Sequence, residues 1–371
     1  GGIVTTPVLP DYTAAPGHGP LASDQTAEKT SGMTTVPARD PQTTATGPRK
    51  LGSALGPSDR LFRGVAGGAG IAVLTIMSLV GVFLTFRALQ AISVAGFSFF
   101  TVQEWQPDSG QGHFGVAAIL VGTALIATVA VLVAVPLATC TSLYISEYAP
   151  ANIKRTLIST VDLMAAVPSV VFGLWGFFLL QPNITGLSRW ISTHFGWLPF
   201  FSVDGFNPDD PLSSETVFTS STFIAGITVG LMITPLLTSI MREAFNQAPV
   251  GEREGSYALG STKWGMIRSV VLPFGKGAMI GGTMLGLGRA LGETITVFMI
   301  ISPIFAIQPH ILQNGGSSVS LLIALQYGEA TPFATSALMA AGLALFLITL
   351  AVNFLASSIV ARSRSGAASD S

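Results

Sequence analysis

Six long apolar runs fill most of the sequence after Phe62. Each provides about 20 residues, the length that an α-helix needs to cross the hydrocarbon core of a bilayer. Only 10% of the 371 residues are charged and 49% are hydrophobic, whereas soluble domains carry roughly 25% charged residues. The sequence therefore predicts an all-α membrane protein with six transmembrane helices, near 64–86, 114–140, 163–181, 222–241, 278–303 and 334–360.

Residues 1–58 have a different composition, with eight prolines and a single aromatic residue, Tyr12. Such a segment buries too little apolar surface to offset the entropy of an ordered chain. We therefore expect a disordered N-terminal tail at 1–58, a six-helix membrane domain at 59–362 and a short C-terminal tail at 363–371. The beginning of the chain shows no basic region followed by an apolar core, so no cleavable targeting segment is predicted.

The lysines and arginines between the runs predict the orientation of the chain. Fifteen of them fall in the N-terminal tail, in the 147–162 and 242–276 loops and at the C-terminal end, and only Arg87 and Arg189 fall on the other side. Cytoplasmic loops carry an excess of Lys and Arg. Both termini and the 242–276 loop are therefore expected to be cytoplasmic.

Four of the predicted spans contain an interior proline, which removes a helical hydrogen bond and kinks the helix. These residues are Pro136, Pro168, Pro235 and Pro303. Asp162 comes at the start of the third predicted span, and a carboxylate there favours the positive end of the helix dipole. We interpret it as a helix-start residue.

The stretch "LGLGRALGETITVFMI" places Arg289 and Glu293 inside the fifth predicted span. A charged side chain at the centre of a membrane helix costs about 2.5–3.5 kcal/mol on insertion scales. Residues at i and i+4 share one helix face, so the two charges could neutralise each other. Alternatively, Arg289 lines a transport pathway, because a guanidinium can bind two oxygens of an oxyanion at once, and Glu293 is its resting partner.

Glycines surround this charged pair at spacings that allow close helix packing. The small-xxx-small pairs are Gly277/Gly281, Gly282/Gly286 and Gly288/Gly292. Such pairs let neighbouring helix backbones approach one another. We expect them to bring the fifth span close to its neighbours.

The predicted cytoplasmic loop 242–276 is long for a connection between two membrane helices. Glu254 to Trp264 reads as a short helix, interrupted at Gly260, with Tyr257, Leu259 and Trp264 as apolar projections among charges. Such a helix fits the groove of a soluble partner. It could also lie on the membrane surface.

Several classes of function are not predicted. The sequence has no phosphate-binding loop of the G-x-x-x-x-G-K-[ST] type, so an ATP-driven process would need ATP hydrolysis on another polypeptide. The four histidines are dispersed and Cys140 is the only cysteine, so neither a metal site nor a disulfide is expected. The net charge of −1 argues against a nucleic-acid partner.

The spacing of Glu254, Gly260, Leu272 and Pro273 resembles the EAA signature of type I ABC-importer permeases. Gly255 and Ser256 stand where that family usually has two alanines. Over 59–362 the chain is also similar to the PstC-type permease subunit of phosphate-specific ABC importers. The segments that carry this similarity are "FGVAAILVGT", "EYAP", "VDLMAAVPSVVFGLWGFFLLQP" and "GLGRALGETITV".

The resemblance implies a type I (MetI-like) permease fold in a bacterial cell membrane and no chemical step on this chain. The implied partners are a PstA-like permease, two PstB-like ATPases that carry ATP and Mg, and a PstS-like phosphate-binding protein. Arg289 and Glu293 are expected along the phosphate pathway. The contact to the ATPase is assigned to Glu254, Gly255, Ser256, Tyr257, Ala258, Leu259, Gly260, Trp264, Leu272 and Pro273.

Other interpretations remain open at this point. The chain could be the sister PstA-type subunit or a permease for another oxyanion such as sulfate or molybdate, since Arg pairs with any of them. An ion-coupled secondary transporter would also bury charges in the membrane, but it has no use for an EAA-type loop. A sensory or scaffold membrane protein is the fourth alternative.

Overall fold

The computed structural model describes residues 56–109, 114–207 and 214–364. The chain divides into two compact units, Gly1–Phe62 and Arg63–Ser371. The predicted tails, apart from their innermost residues, lie outside the described residues. The α-helices are α1 (Pro57–Ala95), α2 (Ala117–Leu143), α3 (Ala151–Ala165), α4 (Ser169–Trp175), α5 (Gln181–Phe195), α6 (Thr222–Asn246), α7 (Val250–Ala258), α8 (Lys263–Met266), α9 (Leu272–Leu291), α10 (Ile295–Ile300), α11 (Val319–Gln326) and α12 (Pro332–Arg364).

Three π-helical segments join some of these helices into longer rods. Tyr144–Tyr148 continues α2, Gly176–Leu180 joins α4 to α5, and Ile267–Val271 joins α8 to α9. Six helical stretches in the described part of the chain are then long and apolar enough to cross a membrane, which confirms the predicted all-α fold with six spans. They are Ser58–Phe100, Ala117–Tyr148, Ser169–Phe195, Thr222–Asn246, Lys263–Leu291 and Pro332–Leu355.

The third span begins later than predicted because Pro168 separates two helices instead of kinking one. α3 ends at Ala165, and α4 begins at Ser169, directly after the proline. A proline disfavours the helical conformation of the residue before it, so a helix tends to end there. The predicted bounds 163–181 for this span are therefore wrong.

Asp162 also differs from its predicted role. It lies in the last turn of α3, where the helix dipole disfavours a carboxylate. Its Oδ1 instead accepts a hydrogen bond from the hydroxyl of Ser239 on α6, at 2.8 Å. Asp162 is thus a contact between helices and not a helix-start residue.

The fifth span starts and ends earlier than the predicted 278–303. It begins at Lys263, and the helix stops at Leu291. Residues 292–294 are non-helical, and the short helix α10 follows. Gly292 has a low helix propensity, and Pro303 lies outside any helix, in an isolated bridge with Gly316. The predicted 242–276 loop shrinks to the connection between Asn246 and Lys263.

Helices α2 and α6 form the centre of the buried core, together with α9 and α10. Pro136 and Pro235 lie inside α2 and α6, as predicted. Gly226 and Gly230 allow the close approach of these two helices. A Cβ added at Gly226 would lie 2.5 Å from the Cβ of Val129, and one at Gly230 would lie 2.8 Å from the carbonyl oxygen of Ala130.

The fifth span uses one of its predicted glycine pairs against α6. A Cβ added at Gly286 would lie 2.5 Å from Leu237 Cδ1, and one at Gly282 would lie 3.3 Å from Ile240 Cγ2. Gly281 and Gly288 face open space. Only the Gly282/Gly286 face of α9 therefore serves helix packing in the way that the spacing predicts.

The connections between spans gather at two ends of the bundle. At one end, called the outer end here, the segments 196–207 and 301–316 pack together. There the amide of Ile311 donates to the carbonyl of Phe200 at 3.0 Å, and the amide of Phe223 donates to the carbonyl of Ile311 at 2.9 Å. The opposite, inner end carries α7 and the C-terminal end of α2. This arrangement matches the alternation of loops that the charge distribution predicts.

The contact between α2 and α6 gives a stability prediction. Gly226→Val should destabilise the purified protein in detergent, because overpacking a close helix contact costs about 1–3 kcal/mol. The measurement is the midpoint of thermal unfolding. Gly186→Val on α5 is the control, since an added Cβ there meets no atom within 4 Å. An unchanged midpoint for Gly226→Val would contradict the packing.

The two ends of the bundle give a topology prediction. In a Cys140→Ser background, a membrane-impermeant thiol reagent should label Trp197→Cys in intact cells, because Trp197 is an exposed residue at the outer end. It should label Leu259→Cys at the inner end only after the membrane is permeabilised, since the Lys-rich and Arg-rich side is predicted to be cytoplasmic. Labelling in the reverse pattern would overturn the predicted orientation.

Candidate functional site

Arg289 lies in the last turn of α9, inside the fifth span. Its side chain is exposed on the isolated chain. In the part of the chain that the structure describes, the guanidinium makes no hydrogen bond and no ion pair. α9 packs against α2, α6 and α12, so the bundle fixes the backbone that carries this free cation.

Glu293 follows four residues later but has a different environment. It is buried, with 9% of its surface exposed. Its Oε1 accepts hydrogen bonds from the backbone amide of Thr296 at 3.1 Å and from the Thr296 hydroxyl at 3.0 Å. The same hydroxyl lies 3.2 Å from the carbonyl oxygen of Ser169. Glu293 thereby caps the first turn of α10 and places it beside the start of α4.

The predicted ion pair between Arg289 and Glu293 is wrong. It assumes one continuous helix, in which residues i and i+4 share a face. The break at 292–294 takes Glu293 out of that register, and its carboxylate is used by Thr296. The roles of the two residues in a transport pathway remain predictions, with Arg289 as the available cation.

The predicted coupling segment is helical at the inner end of the bundle. α7 begins at Val250 and ends at Ala258, and Gly260 adopts a φ of +84°. A left-handed conformation after a helix end is easy for glycine and costly for other residues. The helix therefore starts before the predicted Glu254, but the interruption at Gly260 is confirmed. α8 then begins behind Thr262, whose hydroxyl accepts the amide of Gly265 at 3.1 Å.

Most of the predicted coupling residues lie on one exposed surface. Ser256 is buried, and Leu272 and Pro273 belong to the start of α9 and not to the loop. Leu259, just after the end of α7, is 89% exposed. We call the remaining exposed residues the coupling surface: Glu254, Gly255, Tyr257, Ala258, Leu259, Gly260 and Trp264.

The ion pair between Glu147 and Arg253, at this same end of the bundle, was not predicted from the sequence. Arg253 of α7 donates from Nη1 to both carboxylate oxygens of Glu147, at 2.9 and 3.1 Å. The sequence shows Glu147 only as part of "EYAP", and Arg253 only as one positive charge of the loop. Their separation of 106 residues gives no local signal of contact.

An apolar cavity of about 640 Å³ opens beside the inner half of the bundle. Residues of α2, α3, α4 and α6 line it, among them Met164, Phe172, Trp175 and Pro235. The lining contains threonine hydroxyls but no charged side chain. This cavity has no group that would hold an oxyanion, unlike the region of Arg289.

Comparison with known proteins is consistent with this geometry. Residues 134–365 match the family described as "Binding-protein-dependent transport system inner membrane component". The "Phosphate transport system permease protein PstC 2" of Mycobacterium tuberculosis is 37% identical over 303 residues, which cover 81% of this chain and 91% of that protein.

Two further relatives come from distant organisms. The "Phosphate transport system permease protein PstC" of Xylella fastidiosa is 38% identical over 264 residues, covering 71% of this chain and 78% of that protein. The "Probable phosphate transport system permease protein PstC" of Methanocaldococcus jannaschii is 35% identical over 288 residues, covering 76% and 87%.

These matches span most of the chain and most of each relative. The six apolar spans and the interrupted helix at the inner end agree with the type I ABC importer permease fold that the EAA-like spacing predicts. The chain therefore belongs to the family of inner membrane components of binding-protein-dependent transport systems, as a PstC-type phosphate transport system permease.

Proposed function

We propose that this chain forms, with a PstA-like sister permease, the membrane pathway of an ATP-driven importer of inorganic phosphate. A PstS-like extracytoplasmic protein delivers the phosphate to the outer end of the bundle. Two PstB-like subunits hold ATP and Mg at the inner end. The phosphate transport permeases that resemble this chain, and the transport family to which it belongs, support this assignment.

The observation that carries the proposal is the free guanidinium of Arg289 inside a membrane span. An Arg inside a membrane span is costly unless an opposite charge compensates it, and no carboxylate in the described part of the chain does so. A transported oxyanion can supply that charge. The planar guanidinium binds two phosphate oxygens at once, which suits transient recognition in a low-dielectric pathway.

Glu293 takes a different role from the resting partner that the sequence suggests. Its carboxylate holds the start of α10 through Thr296. We propose that it fixes the break after α9, so that Arg289 stays at a helix end with its head group free. A helix that continued past Gly292 would pair the two charges and reduce the attraction of Arg289 for phosphate.

The energy for transport comes from outside this chain. The sequence contains no phosphate-binding loop, so hydrolysis takes place on the PstB-like subunits. The coupling surface at the inner end offers an exposed carboxylate, Glu254, together with apolar side chains that fit a partner's groove. With the inner end cytoplasmic, the chain spans a bacterial cell membrane with both termini in the cytoplasm.

The role of Arg289 can be tested by substitution. Arg289→Gln should lower phosphate uptake by about tenfold or more, since a hydrogen bond to a charged group contributes about 1.5–3 kcal/mol and 1.4 kcal/mol corresponds to a factor of ten. Arg289→Lys keeps the charge but loses the bidentate geometry, so its uptake should be intermediate. Uptake of labelled phosphate by proteoliposomes with the complete complex is the measurement.

Arg87→Gln is the matched control for this experiment. Arg87 is exposed on α1 and is distant in sequence from the fifth span. Phosphate uptake by the Arg87→Gln complex should therefore equal uptake by the wild-type complex. Competition by sulfate and molybdate separates phosphate from the other oxyanions. Normal uptake by an assembled Arg289→Gln complex would remove Arg289 from the pathway.

The coupling surface gives a prediction about assembly. Leu259→Ser should weaken the association with the ATPase subunits by about tenfold or more, because burying a leucine contributes about 1.5–3 kcal/mol. The measurement is the amount of ATPase subunit that co-purifies with the tagged permease. Leu61→Ser, at another exposed leucine, on α1, should leave the yield unchanged. Equal recovery with both variants would mean that α7 does not bind the ATPase through Leu259.

A further inference from the structure

The inner end of the second span is π-helical, over Tyr144–Tyr148. Single π-helical turns are rare and occur often at functional sites. Basic side chains from three separate elements contact this one turn. They are Lys154 of α3, Arg253 of α7 and Lys263 of α8.

Each basic residue contacts a different group of the turn. The ammonium of Lys154 donates to the carbonyl of Ser146 at 3.2 Å. The ammonium of Lys263 lies over the ring of Tyr148, 4.6 Å from its centroid. Arg253 binds the carboxylate of Glu147, which also accepts the Ser146 hydroxyl at 2.9 Å.

Arg253 contacts two spans at once. Besides its two bonds to Glu147, its Nη2 donates to the carbonyl of Phe245 and its Nε donates to the carbonyl of Ala248, at 3.2 Å. Phe245 is in the last turns of α6, and Ala248 follows that helix. One guanidinium therefore fastens α7 to the ends of both the second and the fourth span.

Burial makes this contact difficult to open. The side chain of Glu147 is only 5% exposed and that of Arg253 is 20% exposed. Separating such a pair leaves a charge without a partner in a poorly hydrated place, which is strongly unfavourable. Glu254, Gly255 and Ala258 of the coupling surface belong to the same short helix and are exposed. The bundle thus holds α7 through Arg253 while these neighbouring residues remain free for a partner.

We propose that the Glu147–Arg253 pair is a clamp that makes α7 and the inner end of the second span move as one body. The clamp rests on the proposed function, in which ATPase subunits displace the coupling surface. That displacement reaches the fifth span through the continuous chain from α8 to α9, and it reaches the second span through the clamp. α2 packs against α6 and α9, so both routes converge on the helices around Arg289.

Glu147 and Arg253 are positioning residues in this account, and neither contacts substrate or ATP. A purely structural ion pair would change the amount of assembled complex but not the work done per ATP. A clamp changes the ratio of phosphate transported to ATP hydrolysed. This ratio separates the two roles.

The first experiment measures that ratio in proteoliposomes with the complete transporter and phosphate-loaded binding protein. In Glu147→Gln and Arg253→Gln complexes, phosphate transported per ATP should fall about fivefold or more, the lower end of coupling between linked sites. Phosphate transported per ATP should also fall in the Arg253→Lys complex, because an ammonium cannot bind the carboxylate and both carbonyls together. Glu243→Gln is the control, since Glu243 is exposed at the same end and its carboxylate accepts a hydrogen bond from Gln247, at 3.3 Å, and not from the clamp.

The second experiment needs no transport activity. Spin labels at Gly251→Cys on α7 and Ala151→Cys at the start of α3, in a Cys140→Ser background, report the distance between the coupling helix and the chain that follows the clamped turn. In the otherwise wild-type complex this distance should be the same with and without ATP. In the Glu147→Gln complex its distribution should broaden or shift with ATP.

Two results would overturn the clamp. One is a normal ratio of phosphate to ATP in assembled Glu147→Gln and Arg253→Gln complexes. The other is a distance between α7 and α3 that changes with ATP while the clamp is intact. Failure of the proposed function looks different, because the unmodified complex itself would then not take up phosphate, while the distance measurement would still test the clamp.

Discussion

Backbone groups inside a bilayer find no water, so every break in a membrane helix must be satisfied by another group of the protein. This chain has such breaks, and side chains satisfy several of them. The carboxylate of Glu293 accepts the amide of Thr296 at the start of α10. The hydroxyl of Thr123 on α2 accepts the amide of Val319 at the start of α11, at 3.0 Å. The polar residues of the spans therefore hold the irregular backbone in place.

The same constraint separates two tasks along the chain. At the break after α9, the capping role of Glu293 removes the carboxylate that could have neutralised Arg289. The free cation is thereby available for an anion within the span. At the inner end, Gly260 stops α7 and directs its apolar residues outward. In the proposed function, recognition of phosphate and contact with the ATPase thus depend on two interruptions of helix, joined by the packed core of α2, α6 and α9.

The sequence predicts the parts of this fold that depend on local composition. The number of spans follows from the lengths of the apolar runs, and the interruption at Gly260 follows from one glycine. The predicted start of the third span and the predicted end of the fifth were wrong because they depend on how Pro168 and Gly292 interrupt a helix. The expected pairing of Arg289 with Glu293 failed for the same reason, since the i,i+4 rule assumes an unbroken helix. The Glu147–Arg253 contact joins distant segments, which spacing cannot reveal.

We propose that this chain moves phosphate only as part of an ATP-driven complex. The most direct test compares uptake of radiolabelled phosphate by proteoliposomes that contain the chain alone and by those that contain the complex that co-purifies with it. Uptake is expected only with the complex, with ATP on the inner side and loaded binding protein on the outer side. Uptake by the chain alone, driven by an ion gradient without ATP, would contradict it.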